Sequence, residues 1–458
     1  MTTDTRPPDA ADRRLDDTPI VQHPYIPMTE ADREAMLAAI GVRSTADLFA
    51  DIPSGRFRPE VALPDPLTEL ELLEHTRTLS ARNRTAAELA CFLGAGAYRH
   101  FRPSLVDAIV MRGEFLTSYT PYQPEVSQGT LQGIFEFQSL VCDLTGMDVA
   151  NAGMYDGASA LAEACLMACA VTGRRRIAIS DRVHPNWIAV VRSYAHGRDI
   201  VIDMQPHGEF AIANEHACLA VQQPDFYGRM SAAAAAWGDA AHSAGALYVV
   251  AADPVSLGLF RPPADYGADV VVGEGQSLGV PLSYGGPYVG LFACREKYIR
   301  QMPGRICGET NDADGRRGYV LTLQTREQHI RRERATSNIC TSQQLIALST
   351  AMYLAALGPQ GLRRVAELCY QRAHMLAERI EALPGYSVES DEPFFNEFVI
   401  HTPRPPSEIN ARLLERGVIG GLDVPDIRNR MLLCATEMNT TSEIDALLAA
   451  LAEMGGAQ

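Results

Sequence analysis

The chain has 458 residues, of which 47 % are hydrophobic and 21 % charged, and its formal net charge is −16. A globular protein of this length buries a large core, and its negative charge repels a phosphate backbone, which excludes nucleic acid as a natural partner. No apolar run approaches the roughly 20 residues that cross a bilayer, and the N-terminus has no signal-peptide apolar stretch, so the expected location is cytoplasmic.

Residues 1–24, rich in Pro and Asp, read as a disordered tail. Thr29 is placed to cap a helix, ADREAMLAAI, that Gly41 ends. A shorter helix, TADLFADIP, stops before Pro53, and another runs through LTELELLEHTRTLSARN. Residues 25–120 are therefore expected to form a helical N-terminal arm. From 121 to 340 the pattern is that of a large α/β domain. GASALAEACLMACAVTG is a helix; RRIAIS, DIVIDM, ACLAVQQ, ALYVVAAD, ADVVVGEG and YVGLFAC are short apolar strands, several separated by helical stretches such as SAAAAAWGDAAHSAG. This rhythm predicts a mostly parallel sheet covered on both faces, with ligands at the carboxyl ends of its strands. Residues 341–458 read as a small α+β domain: two long helices, TSQQLIALSTAMYLAALG and GLRRVAELCYQRAHMLAERIEALPG, then three strand-like runs, YSVES, FNEFVIHT and MLLCAT, and the helices SEINARLLERG and SEIDALLAALAEM. Arm, large domain and small domain together suggest the aspartate-aminotransferase-like fold (fold type I) of pyridoxal phosphate (PLP) enzymes.

Such an enzyme needs an aspartate under the pyridine nitrogen, a ring stacked on the cofactor, a helix N-terminus for the phosphate and a lysine for the imine. Asp253 ends the strand ALYVVAAD and suits the first role, or else it caps a turn. His184, after RRIAIS, suits the second, or else it is a surface histidine. Gly157 and Ser159 open a helix and suit the third, or mark a plain helix start. The lysine is missing from the loop after ADVVV, which reads GEGQSLGVPLSYGGPYVG. Lys297 is the only lysine in the chain, and in CREKYIR it reads as a helical surface residue. Cys165 and Cys169 fit small buried residues on one helix face better than a metal or redox pair. With no histidine cluster at ligand spacing, no structural metal is expected.

Two polar stretches stand out. In 117–129, TSYTPYQPEVSQG, prolines stiffen a loop carrying Tyr119, Thr120, Tyr122, Gln123 and Glu125. It fits a pocket wall or a subunit contact, with a surface loop as the alternative. The arginine-rich stretch 303–341 fits an anion site or interface ion pairs, or a solvated helix face.

These runs resemble the P-protein family of the glycine cleavage system, in particular the first subunit of its two-subunit bacterial form. The matching segments are FLGAGAYRHFRP (92–103), SYTPYQPEVSQG (118–129), GEGQSLGVPLSYGGPYVG (273–290), QMPGRICGET (301–310), LTLQTREQHIRRERATSNICT (321–341), PFFNEF (393–398) and CATEMNTTSEIDALLAAL (434–451). Arg334 stands where the family usually has lysine. The resemblance implies a heterotetramer of two copies of each subunit. It decarboxylates glycine on PLP and passes the aminomethyl group to the lipoyl arm of H-protein. The imine lysine belongs to the second subunit, and Gln276 falls opposite it here. Gly157, Ser159, His184, Asp253 and Gln276 then form a vestigial cofactor pocket. Tyr119, Thr120, Tyr122, Gln123 and Glu125 would reach the partner's site. Two other readings are a pure scaffold subunit and an independent PLP-dependent aminotransferase or decarboxylase.

Overall fold

The computed structural model describes residues 25, 27–53, 56, 62–389, 392–424 and 427–455; the expected tail, 1–24, lies outside them. The chain forms two compact units, 1–83 and 84–458. In the first, the helix Glu30–Ile40 starts at Thr29 in a reciprocal capping box with Asp32 and ends at Gly41, whose φ is 85°. The TADLF run is a 3-10 helix, Thr45–Phe49, and Glu69–Ser80 is a helix capped by Thr68. None of these three elements has a buried residue.

The second unit opens with the strand β1 (Ala90–Cys91). The strands β2 (Val149–Ala150), β3 (Arg176–Ser180), β4 (Val201–Gln205), β5 (His216–Gln223), β6 (Leu247–Ala252), β7 (Val270–Glu274) and β8 (Gly290–Cys294) form one sheet in the order β2-β8-β7-β6-β5-β3-β4. β3 to β7 pair in parallel; β8 is antiparallel to β7 and β2 to β8. Alternate residues serve opposite faces. Leu219, Val221, Val250 and Val271 pack into one core, and Ala220, Val249, Val270 and Val272 into another. Two covered faces explain the continuous apolar runs in the middle of these strands.

A hairpin follows, β9 (Ile306–Asn311) with β10 (Arg317–Thr322). Its residues fall in the stretch expected to be an anion site, interface ion pairs or a helix face; backbone pairing corrects the helix-face alternative for 306–322. The two expected long helices lie within Gln344–Glu381 and meet at a kink, where Gly358 (φ 60°) precedes Pro359. Contrary to expectation, this span taken as a whole is long and apolar enough, by length and composition, to cross a membrane. Ala347, Leu354, Leu362, Leu376 and Ile380 are nevertheless buried within the protein. The strands β11 (Ser387–Val388), β12 (Glu397–His401), β14 (Leu422–Asp423) and β15 (Arg430–Cys434) make a small antiparallel sheet ordered β11-β12-β15-β14, while β13 (Val418–Ile419) pairs with β1. The expected arm, 25–120, therefore divides at 83/84. Residues 90–92 pair with the C-terminal domain, since Cys434 N donates to Phe92 O and Asn439 Nδ2 to Cys91 O.

Candidate functional site

The carboxyl ends of the parallel strands deliver the expected residues to one place. His184 follows β3, Gln222 lies in β5, Asp253 follows β6, and Glu274 and Gln276 close β7. Gly157 opens the helix Gly157–Thr172 beside them. The space that His184, Gln222, Asp253 and Glu274 enclose with Gly96, Tyr98 and Trp187 is about 30 Å³. That is room for a water molecule or so, whereas small-molecule pockets run to about 300–1,000 Å³.

Each group is already engaged. Gln276, 1 % exposed, accepts from Tyr98 N at 2.7 Å, and its Nε2 donates to Tyr98 O and Val280 O, each at 2.9 Å. Gly157 N donates to Glu274 Oε2 at 2.9 Å, and Ser159 N to Asp156 Oδ1 at 2.7 Å. Ser159 Oγ in turn bonds the Asp156 backbone. The helix start is thus a capping box closed by a buried glutamate, and this corrects the phosphate-cup reading of Gly157 and Ser159. Gly157 must be glycine for a packing reason: a Cβ there would lie 2.4 Å from the Trp187 ring. Asp253 Oδ1 accepts from Ser256 N at 2.9 Å, so the carboxylate caps a turn while lining the cavity. Burial raises its pKa. His184 donates from Nε2 to Ala95 O at 2.9 Å and accepts at Nδ1 from Asn186 N at 3.1 Å. Burial lowers its pKa and favours this neutral ring. Gly96, at φ 102°, rests on that ring, where a Cβ would sit 3.0 Å away. The surface-histidine reading is set aside, and the space left open beside the ring is only the cavity of about 30 Å³. These residues do not fit PLP.

Lys297 is far from them. β8 runs antiparallel to β7 with Cys294 opposite Val270, so Lys297 emerges at the other end of β7 from Gln276. It lies in a 3-10 turn, its side chain 64 % exposed and paired with Asp269 at 3.3 Å.

The 118–126 loop borders a separate cleft of about 550 Å³. Tyr122 accepts at its hydroxyl from Arg305 at 2.6 Å, and its ring meets His329 edge-on at 5.6 Å. Arg305, nearly buried, also reaches Glu327 at 3.3 Å and Cys340 O. Gln128 ties the loop to the β9–β10 hairpin through both Tyr319 N and Tyr319 O, each at 2.9 Å. Tyr119, Gln123 and Glu125 are exposed, and Thr120 is half-buried.

Residues 23–451 match the family described as glycine cleavage system P-protein. The chain belongs to this family. Among curated relatives, a "Probable glycine dehydrogenase (decarboxylating) subunit 1" of Thermomicrobium roseum is 51 % identical over 444 residues, 94 % of this chain and 99 % of that one. A crystal structure of glycine decarboxylase (P-protein) of the glycine cleavage system, in inhibitor-bound form, is 45 % identical with a TM-score of 0.89, covering 94 % of this chain and all of that one. At 13 % identity and a TM-score of 0.65, a Lactobacillus brevis glutamate decarboxylase shares the fold over 87 % of this chain and 96 % of its own. The fold is that of PLP-dependent fold-type I enzymes. The chain's role is in the glycine cleavage system, and its curated relatives carry the name of subunit 1 of glycine dehydrogenase (decarboxylating).

Within this P-protein subunit, several working residues were not singled out by their types: Tyr98, Trp187, Glu274, Arg305 and Glu397. All but Trp187 lie inside the runs that carried the resemblance. Glu274 had a readable signal, an acid in a glycine loop at the end of an apolar strand. Glu397 had none, because its partners Ala95 and Tyr98 lie about 300 residues away in sequence.

Proposed function

We propose that this chain is the lysine-free subunit of a two-subunit glycine dehydrogenase, inactive by itself, whose PLP is carried by the second subunit. The observation that carries the reading is Gln276: the position at the end of β7 where the chemistry calls for a lysine holds a buried amide with its hydrogen bonds filled. The chain's one lysine is at the opposite end of the strand. The complex is two copies of each subunit, as symmetric pairing favours, and it is cytoplasmic. It decarboxylates glycine and passes the aminomethyl group to lipoylated H-protein. Our subunit supplies a wall to the partner's site through Tyr119, Thr120, Tyr122, Gln123 and Glu125. The exposure of all but the half-buried Thr120 leaves the loop free to meet another chain, and the prolines, with Arg305 on Tyr122, hold it before that chain arrives. The expected domain limits, 120/121 and 340/341, remain our division of its roles: arm, large domain, small domain.

Borohydride reduction of the assembled complex with PLP, followed by peptide mapping, tests the assignment. The adduct should lie on the second subunit, with none at Lys297. A stoichiometric adduct on Lys297 would overturn it.

A further inference from the structure

A missing lysine does not by itself empty a cofactor pocket. Phosphate, ring and pyridine contacts would remain, and together they could still hold the cofactor without a covalent bond. In this subunit each of those contacts is taken by the protein itself. The amide of Gly157 is bonded to Glu274 Oε2 at 2.9 Å and that of Ser159 to Asp156 at 2.7 Å. Glu274 Oε1 receives a further bond from Gln276 N at 3.1 Å. The indole of Trp187 covers Gly157 so closely that not even a Cβ would fit. Residues 95–98 lie across the remainder. Ala95 O takes the His184 proton at 2.9 Å, Gly96 rests on the imidazole, and Tyr98 pairs through both its N and O with the Gln276 amide. From the opposite side Glu397, in β12 of the small sheet, accepts from Ala95 N at 2.6 Å and from the Tyr98 hydroxyl at 2.8 Å.

We propose that residues 95–98 are a built-in occupant of the cofactor cleft, which excludes PLP and stitches the large sheet to the small one. The cleft is then a fixed joint. Fold-type I subunits that bind a ligand between their domains must leave this space open, whereas here one strap is bonded to Gln276 and His184 on one wall and to Glu397 on the other. The strap explains why the pocket's frame is retained: its polar groups have new partners within the chain. The inference stands whether or not the second subunit carries the cofactor.

The test restores the lysine. Full-length Gln276→Lys is incubated with excess PLP, reduced with borohydride and mapped. The expected result is no adduct at position 276; a stoichiometric adduct there overturns the proposal, because a pocket that lacked only its lysine would take the cofactor. Should that variant fail to fold, the wild-type chain decides by hydrogen exchange. The amides of Ala95 and Tyr98 are expected to exchange as slowly as those of β5 and β6, even with PLP present. Exchange at the rate of the exposed hairpin turn 312–316 overturns the proposal.

Discussion

Tyr122 is the loop residue with the most to lose. Its hydroxyl is fixed by Arg305 and its ring by His329, while 45 % of the residue stays exposed. Gln123 beside it is exposed. If these groups face glycine or its acceptor in the partner's site, Tyr122→Phe with Gln123→Ala should leave the complex assembled and lower turnover about tenfold or more, the scale of one or two useful hydrogen bonds. Normal turnover in a fully assembled complex would remove both from the site; weak assembly with normal turnover per complex would favour a scaffold. Glu274 makes a prediction in pH. Burial pushes its carboxyl from the ordinary 4.5 up to about 8, against the pull of the amides that bond it. Between those values the folded chain holds a proton that the unfolded chain has released. The stability it contributes is therefore full below the lower value and drains away as pH rises through the upper one. Glu274→Gln, which does not titrate, should show a flatter fall of melting temperature between about pH 5 and 9 than wild type; parallel curves would contradict this. The missing lysine was legible from sequence because Lys297 is the only one, and the family resemblance pointed to Gln276 in its place. The strap on it was not, since Tyr98 and Gln276 are 178 residues apart and hydrogen bonding between them leaves no pattern along the chain.

The helix Gln128–Thr145 shows what local reading cannot reach. It starts inside the polar run that ends at Gly129, and its N-cap residue Ser127 makes no side-chain cap bond, so no start signal announces it. Tertiary packing makes up the difference: Leu131, Ile134, Phe137 and Val141 lie on its buried face. Phe137 is 1 % exposed in the core beneath the sheet. Phe137→Ala should cost about 3–5 kcal/mol in chemical denaturation, and a loss below about 1 kcal/mol would mean that the site collapses around the gap. The strands β3 to β8 were legible, by contrast: for all but the edge strand β4, burial on both faces writes apolar runs. The hairpin β9–β10 has only one well-buried face, with Tyr319 and Leu321 inside and Val320 and Thr322 on the half-exposed other face. Its charged residues concealed it. The kink at Gly358 was read as a gap between helices, as Gly-Pro normally signals.

On the scale of the molecule, the subunit shows surfaces that call for a partner. In the N-terminal unit Leu63, Leu67, Leu70 and Leu72 are at least half exposed, and its helices bury nothing of their own. On the loops, Tyr119 and Tyr284 are 72 % and 83 % exposed. Apolar surface on this scale fits the second subunit proposed above. Family membership places the subunit in glycine cleavage. The sealed cleft, with Gln276 for lysine, is the reason to expect that catalysis waits for the partner. Glycine–bicarbonate exchange measures this directly. The purified chain with PLP should show none, and the same chain mixed with the second subunit should show it in proportion to complex formed; exchange by this chain alone would contradict the account.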